Sequence, residues 1–199
     1  MSIIFALSDK IDRMATSNLL TTNTVNLKAL MANGRTYQVP PYQRDYSWKE
    51  ENWEDLWIDL ADLEETSASQ HYMGAIVQKE EDNPEQFLII DGQQRLATLS
   101  ILVLAAIARL EEMANEGDEA EQNSERANLL RQGFIGSKDP GSLTEASKLQ
   151  LNENNDAFYQ GTLIQLSQPA SLRSLSDSEK LLWNAFRYFS NKINAKFAG

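Results

Sequence analysis

Cysteine is absent from the chain, and histidine occurs only once, as His71. Without cysteine there are no disulfides, no thiol catalysis and no cysteine metal ligands, which is typical of a protein from a reducing cytoplasm. One histidine cannot supply a histidine-metal nuclease motif or the usual zinc site. Two roles are open for His71 itself: a structural hydrogen-bonding residue or a base.

Basic residues are also scarce, at 18 Lys and Arg against 29 Asp and Glu, which gives a formal net charge of −11. A surface this acidic repels DNA over long range, so non-specific DNA binding by this chain alone is disfavoured. Long hydrophobic runs are missing as well. The longest starts at Leu96, is interrupted by Thr98 and Ser100, and reaches only Arg109, so it predicts a buried helix rather than a membrane span.

The most informative residues that are present are the five from Asp91 to Arg95, with the sequence DGQQR. They follow a short apolar stretch at 87–90 that predicts a buried strand, and they precede an apolar helical run at 96–108. A strand that turns at a glycine into a helix presents free backbone N–H groups and the positive end of a helix dipole. The added carboxylate, carboxamides and guanidinium predict a site for a phosphorylated ligand. The alternative is a plain strand–turn–helix cap.

A second polar constellation, VPPYQRDYSW, spans 39–48 between a predicted strand and a predicted helix. Its two prolines stiffen the turn and would hold Gln43 and Arg44 in a restricted geometry. Arg44 could grip a phosphate or carboxylate with two hydrogen bonds, or it could pair with an acidic neighbour such as Asp45. The aromatic residues of the motif could form a stacking wall for a base, or they could belong to the core: Tyr42, Tyr46 and Trp48.

The pattern of elements predicts an α+β fold with a small mixed sheet and a mainly helical C-terminal part. We expect a peripheral segment at 1–22, a core at 23–114 and a helical extension at 115–199. Because the last helical pattern has no stop signal before Gly199, the chain is expected to be cut from a longer protein. Strands are predicted at 36–39, 74–78, 86–90 and 148–151, and helices at 24–32, after a capping box at Ser47, at 94–113, 125–132, 157–166 and 178–197.

The two polar motifs together resemble a large bacterial family. VPPYQRDYSW is similar to its (I/V)PxYQRxYxW signature, and DGQQRLATL is similar to its DGQQR signature. The family forms the N-terminal part of GmrSD-type, modification-dependent restriction enzymes and related phage-defence proteins. Weaker blocks at 72–74, 151–159 and 185–189 extend the resemblance over roughly 24–197. Ala97 stands where the family often has threonine, while Thr98 is kept.

The resemblance implies a ParB/sulfiredoxin-like core that binds a nucleotide at the DGQQR turn. It also implies nucleoside-triphosphate hydrolysis coupled to a separate C-terminal nuclease domain, which this chain lacks. DNA would then be contacted only through that missing domain or a partner. The alternative is a regulatory module that senses a nucleotide or modified DNA without hydrolysis. Neither reading requires a membrane, and a homo-oligomer stays open.

Roles for individual residues follow as hypotheses from the two motifs and the resemblance. Arg95 and the N–H groups at 92–94 would hold phosphates, and Arg44 would approach the same phosphates from the other motif. Asp91 would hold Mg²⁺ or orient a water, and either Gln93 or Gln94 would position that water. The predicted catalytic residues are Asp91, Gln93, Gln94 and Arg95, and the predicted nucleotide-binding residues are Tyr42, Gln43, Arg44, Gly92, Arg95 and Thr98.

Overall fold

A computed structural model describes residues 23–65, 73–138 and 145–197. His71 and Tyr72 lie outside these ranges. The described chain is α+β, as predicted from the sequence; the ParB/sulfiredoxin likeness stays a prediction. In chain order the elements are α1 (Leu27–Met31), β1 (Thr36–Gln38), α2 (Glu50–Glu65), β2 (Val77–Glu80), β3 (Gln86–Asp91), α3 (Gln93–Glu116), α4 (Ala120–Leu130), a π-helix (Arg131–Ile135), β4 (Gly136–Lys138), β5 (Glu145–Ser147), β6 (Leu149–Gln150), α5 (Glu153–Phe158), a second π-helix (Tyr159–Leu163) and α6 (Asp177–Lys196).

The main sheet is mixed and has the strand order β2-β3-β1-β6. The turn-rich residues between the strands predicted at 74–78 and 86–90 indicate a hairpin, and β2 is antiparallel to β3 in the structure. β1 lies parallel to both β3 and β6, with Tyr37 opposite Phe87 on one side and Leu149 on the other. Because parallel strands end at the same edge of a sheet, the segments that follow β1, β3 and β6 are brought together there. These segments contain both polar motifs.

One hydrophobic cluster joins the sheet to the long helices. Tyr37 and Ile89 from the sheet, Leu104 from α3 and Phe189 from α6 are all fully buried members of it. The cluster therefore contains residues from both sides of position 114, and β6 from the second part completes the sheet that the first part begins. The division into 23–114 and 115–199 remains a prediction. None of the described helices is both long and apolar enough to cross a membrane.

The N-terminus of α2 differs from the sequence prediction. Ser47 was expected to cap this helix, but α2 begins at Glu50, and the Ser47 N–H donates to Gln94 Oε1 at 2.8 Å. The first turn is instead closed by Asn52, whose side-chain oxygen accepts from the Lys49 N–H at 3.1 Å. The capping-box prediction was wrong because a tertiary hydrogen bond holds Ser47 in the preceding loop.

Two stretches that the sequence does not predict as helix or strand are regular in the structure. The polar run that begins at Asn152 forms the start of α5, which passes directly into a π-helix. The glycines and proline of 133–141 predict a loop from sequence, but its described residues, 133–138, contain the end of the first π-helix and all of β4. Polar residues weaken the apolar periodicity on which sequence prediction depends, and here hydrogen bonds to distant segments stabilise the helix instead.

Acidic residues form one face of α2, and one of them, Glu54, joins the helix to α6. Glu54 accepts hydrogen bonds from the Tyr188 hydroxyl and from Lys192 Nζ, the latter at 3.0 Å. These two bonds, that from Tyr188 first, lower the pKa of the Glu54 carboxyl. Trp53 packs against the Tyr188 ring in the same contact, with ring centroids 5.8 Å apart. Part of the acidic face is therefore used for packing between helices.

Candidate functional site

Three segments meet at the carboxyl edge of β1, β3 and β6: the loop 39–47, the turn 91–95 and the segment 151–155. They border a small recess that is open to solvent. Both polar motifs contribute to it, as the sequence-based hypothesis of a two-sided site required. The recess is lined by Val39, Arg44, Tyr46, Gln93, Gln94, Ala97, Leu151, Asn152 and Asn155.

The turn after β3 needs a glycine for two reasons. Gly92 has φ +90°, a left-handed conformation that other residues rarely adopt. A Cβ at this position would also lie 3.0 Å from the Ala75 carbonyl oxygen and 3.0 Å from Ile76 Cγ1. The first intrahelical bond of α3 runs from the Leu96 N–H to the Gly92 carbonyl, and no side chain caps the helix. The N–H groups of 93–95 therefore lack intrahelical acceptors.

Gln94 joins the two motifs. Its side chain is 6% exposed; Nε2 donates to the Asp45 carbonyl at 3.1 Å, and Oε1 accepts from the Ser47 N–H at 2.8 Å. Both ends of the amide are therefore engaged with the backbone of the 39–47 loop. In this structure Gln94 holds the loop against α3 with both its oxygen and its nitrogen, and its predicted part in catalysis stays a prediction.

Replacing Gln94 by alanine is expected to lower the free energy of unfolding by about 2 kcal/mol, because two backbone groups lose their partners. The control is Gln78→Ala, which removes an exposed glutamine from β2. Urea unfolding of both variants measures the difference. Equal unfolding midpoints for Gln94→Ala and Gln78→Ala would show that the loop does not depend on Gln94.

A cluster of asparagines after β6 fixes the same loop from the opposite side. Asn152 Nδ2 donates to the Gln43 carbonyl at 3.1 Å and to Asp45 Oδ1 at 2.6 Å. Asn155 accepts from the Tyr46 N–H at 2.8 Å and donates to Ser178 Oγ at 2.7 Å. Sequence reasoning did not assign these residues to the site. The only signal available was the density of polar residues directly after a predicted strand.

The aromatic residues of the first motif do not form one wall. Tyr46 is buried; its hydroxyl lies 2.7 Å from Thr98 Oγ1 and accepts from Trp53 Nε1 at 2.9 Å. Burial raises the pKa of the Tyr46 hydroxyl, so it stays protonated and can donate to Thr98. Trp48 packs partly buried against the core, whereas Tyr42 is 75% exposed. The predicted stacking wall is therefore reduced to Tyr42.

Thr98 was predicted to contact the nucleotide, and the structure gives it another part. It is fully buried in the first turns of α3. Its hydroxyl donates to the Gln94 carbonyl at 2.8 Å. The same oxygen lies 2.7 Å from the hydroxyl of Tyr46. Because no atom of Thr98 reaches the surface, the residue supports the loop from beneath rather than facing a ligand.

Arg44 faces outward. It is exposed, lines the recess, and makes no hydrogen bond or ion pair with any of the residues that the structure describes. The expected alternative partner, Asp45, is instead bound by Asn152 and by Asn154 Nδ2, the latter at 3.1 Å. Positions 42 and 44 of the loop are thus directed to solvent, while positions 43 and 46 are tied to the protein. A guanidinium left free beside a recess is suited to an anionic ligand.

Gln43 and Gln93 connect the two motifs by a second contact. Gln93 Nε2 donates to Gln43 Oε1 at 3.2 Å, and Gln43 Nε2 donates to the Ile90 carbonyl at 2.9 Å. Gln93 is 9% exposed and lines the recess with Arg44. The Gln-Arg pairs that the sequence shows at 43–44 and 94–95 are therefore not equivalent, since it is Gln93 and not Gln94 that meets Gln43.

Arg95 lies on the side of the turn that faces 74–75. Its Nη1 donates to the Ala75 carbonyl at 3.0 Å, and its guanidinium carbon would be 2.6 Å from a Cβ at Gly74. It does not line the recess, so its predicted contact with phosphates stays a prediction. Asp91 is exposed at the end of β3. Among the described residues no group of three carboxylates or histidines is placed to hold a metal ion.

The fold and the site define the class of protein: an α+β domain in which a proline-stiffened loop and a strand–turn–helix motif are bound to each other at one edge of a mixed sheet. A family model described as the N-terminal domain of GmrSD restriction endonuclease matches residues 27–198. The chain belongs to this family, as the two motifs indicated. A search among curated proteins gives no match.

Proposed function

We propose that this domain binds a nucleoside triphosphate in the recess between the 39–47 loop and the 91–95 turn, and that it hydrolyses the nucleotide to control a nuclease domain or partner. The single observation that carries the proposal is that Arg44, whose guanidinium has no partner in the described part of the chain, lines the same recess as Gln93 at a helix N-terminus without a side-chain cap. Positive charge on one side and free N–H groups on the other are the features that bind phosphates in proteins.

The recess is small and open, with room for roughly one water molecule, so it is far below the range of about 300–1,000 Å³ that is usual for sites of whole small molecules. A nucleotide would therefore lie across its mouth, with a phosphate oxygen directed toward Arg44 and the sugar and base on the surface outside. The ring of Tyr42, 75% exposed and two residues from Arg44, is available there for stacking on a base.

Mg²⁺ would be supplied with the nucleotide. Mg²⁺ is commonly held by one or two carboxylates together with substrate phosphates, so a dedicated cluster of three protein ligands is not required. Asp91 is the exposed carboxylate directly before the glycine turn. It would hold the ion against the phosphates and so reduce their charge.

A phosphate-release assay with each of the common nucleoside triphosphates, with and without Mg²⁺, tests the proposal. Turnover is expected only with Mg²⁺, and Asp91→Asn is expected to lower it roughly 10-fold, because one ligand of the ion loses its charge. The control is Asp177→Asn at the start of α6, on an exposed side chain. Turnover that is unchanged in Asp91→Asn would contradict the metal assignment.

A second candidate, a module that senses a nucleotide without hydrolysing it, is favoured by the internal use of three predicted site residues. Gln94, Arg95 and Thr98 all direct their side chains to protein groups. Nucleotide binding measured by calorimetry, combined with the absence of phosphate release, would support this candidate over the first.

A further inference from the structure

The two glutamines of the 91–95 turn differ in what their side-chain amides leave free. An amide has one accepting oxygen and one donating nitrogen, so a neighbour that can only accept or only donate fixes its orientation. Gln94 faces one neighbour of each kind, since the Asp45 carbonyl only accepts and the Ser47 N–H only donates. Both ends of Gln94 are therefore occupied within the protein.

The orientation of Gln93 follows from a relay that starts at a backbone carbonyl. The Ile90 carbonyl can only accept, so it directs Nε2 of Gln43 toward itself, at 2.9 Å. Oε1 of Gln43 consequently faces Gln93 and accepts from its Nε2, at 3.2 Å. Gln93 Oε1 has no hydrogen-bond partner among the residues that the structure describes, and it is accessible to solvent, since it is not one of their buried unpaired atoms.

The free oxygen is placed where a ligand could use it. Gln93 is more than nine-tenths buried, which restricts its motion, and it lines the recess together with Arg44. An acceptor that solvent reaches is satisfied by water, and a ligand group that donates a hydrogen bond can take the place of that water. The recess thus combines a free cation for phosphate with one free, oriented acceptor.

We propose that Gln93 Oε1 accepts a hydrogen bond from the water that attacks the terminal phosphate, and that Gln43 is a positioning residue that fixes this orientation of Gln93. The inference rests on the proposed function. When Gln93 Oε1 accepts a hydrogen bond from the water, a lone pair on the water oxygen stays free to face phosphorus. The water oxygen forms the new P–O bond as the bond to the bridging oxygen breaks, and that oxygen leaves with the electron pair on the nucleoside diphosphate. The proton of the water is released to solvent with inorganic phosphate.

Replacing Gln93 by methionine keeps the length of the side chain and removes the acceptor. Phosphate release per enzyme at saturating nucleotide is expected to fall roughly 10-fold, the effect of losing one hydrogen bond in the transition state. The Kd for the nucleotide, measured by calorimetry, is expected to stay within about twofold, because Arg44 and the helix N-terminus are intact. The control is Gln86→Met, at the exposed opposite end of β3.

Gln43→Met tests the positioning role separately. If Gln43 acts through Gln93, it lowers turnover in the wild-type background but has little further effect in Gln93→Met. A merely structural role would instead give independent losses of turnover in the two variants. Gln93→Asn keeps the amide but shortens the side chain by one methylene, which moves the acceptor away from the water. It serves the same test if Gln93→Met does not fold.

The outcomes separate this inference from the proposed function. Wild-type protein that binds no nucleotide would overturn the proposed function and the inference with it. Binding without phosphate release would overturn the inference and leave a binding domain. Turnover that is equal in wild type and in folded Gln93→Met or Gln93→Asn would overturn the inference alone and leave the hydrolase in place.

Discussion

Replacing Arg44 by alanine is expected to weaken the binding of a nucleoside triphosphate roughly 100-fold while leaving thermal stability unchanged. The guanidinium makes no hydrogen bond or ion pair with the residues that the structure describes, so its removal takes nothing from the described part of the fold. In the complex it would form charge-assisted hydrogen bonds to phosphate, each contributing about 1.5–3 kcal/mol. Calorimetric titration of the two proteins measures the difference.

Two further variants define the role of Arg44. Arg44→Lys keeps the charge and loses the two-pronged geometry, so its affinity is expected to lie between those of wild type and Arg44→Ala. Arg126→Ala is the matched control. Arg126 pairs with Glu119 at 2.9 Å, beyond the C-terminal end of α3 and so at the opposite end of that helix from the recess. A loss of affinity in Arg126→Ala equal to that in Arg44→Ala would show that only net charge matters.

Gly92→Ala is expected to lower the free energy of unfolding by about 3 kcal/mol, the largest stability effect that we predict. Two costs add at this position. Alanine would be held at φ +90°, and its methyl group would lie 3.0 Å from the Ala75 carbonyl oxygen and from Ile76 Cγ1. The backbone of 75–76 cannot give way cheaply, since β2 and β3 are paired beside it. Urea unfolding provides the measurement.

Two other glycines separate these costs. Gly117 has φ +88° but no atom within 4 Å of a Cβ placed on it, so Gly117→Ala is expected to cost about 1 kcal/mol from conformation alone. Gly133 lies in the first π-helix and has neither feature, so Gly133→Ala is expected to cost nothing and to stabilise by up to about 1 kcal/mol. An equal loss in the free energy of unfolding for Gly92→Ala and Gly117→Ala would show that the close approach of 75–76 to the turn does not contribute to the cost.

Local features of the site could be predicted from the sequence because local chemistry determines them. The glycine turn at 92 follows from an apolar strand, a glycine and an apolar helix in immediate succession. The exposed position of Arg44 is in line with a proline-stiffened loop rich in polar residues. The strand order could not be predicted, yet it is the parallel placement of β1 between β3 and β6 that brings the two motifs together.

The division of labour within the motifs needed the structure. Gln93 and Gln94 are neighbours of the same type, and only the backbone groups that face them show that Gln94 is fully engaged. Thr98 looks like a ligand because it lies one turn beyond Gln94, but the helix directs it into the core toward Tyr46. Side-chain contacts over more than 40 residues leave no periodic signal in a sequence.

Hydrogen–deuterium exchange of the wild-type domain, with and without a saturating nucleoside triphosphate and Mg²⁺, tests the two-sided site most directly. The backbone amides of 93–95 and those of the 39–47 loop are expected to be protected together, because one ligand would contact both segments. Protection is expected to disappear from both in Arg44→Ala at the same nucleotide concentration. Protection confined to one of the two segments, or found only elsewhere in the chain, would contradict the account.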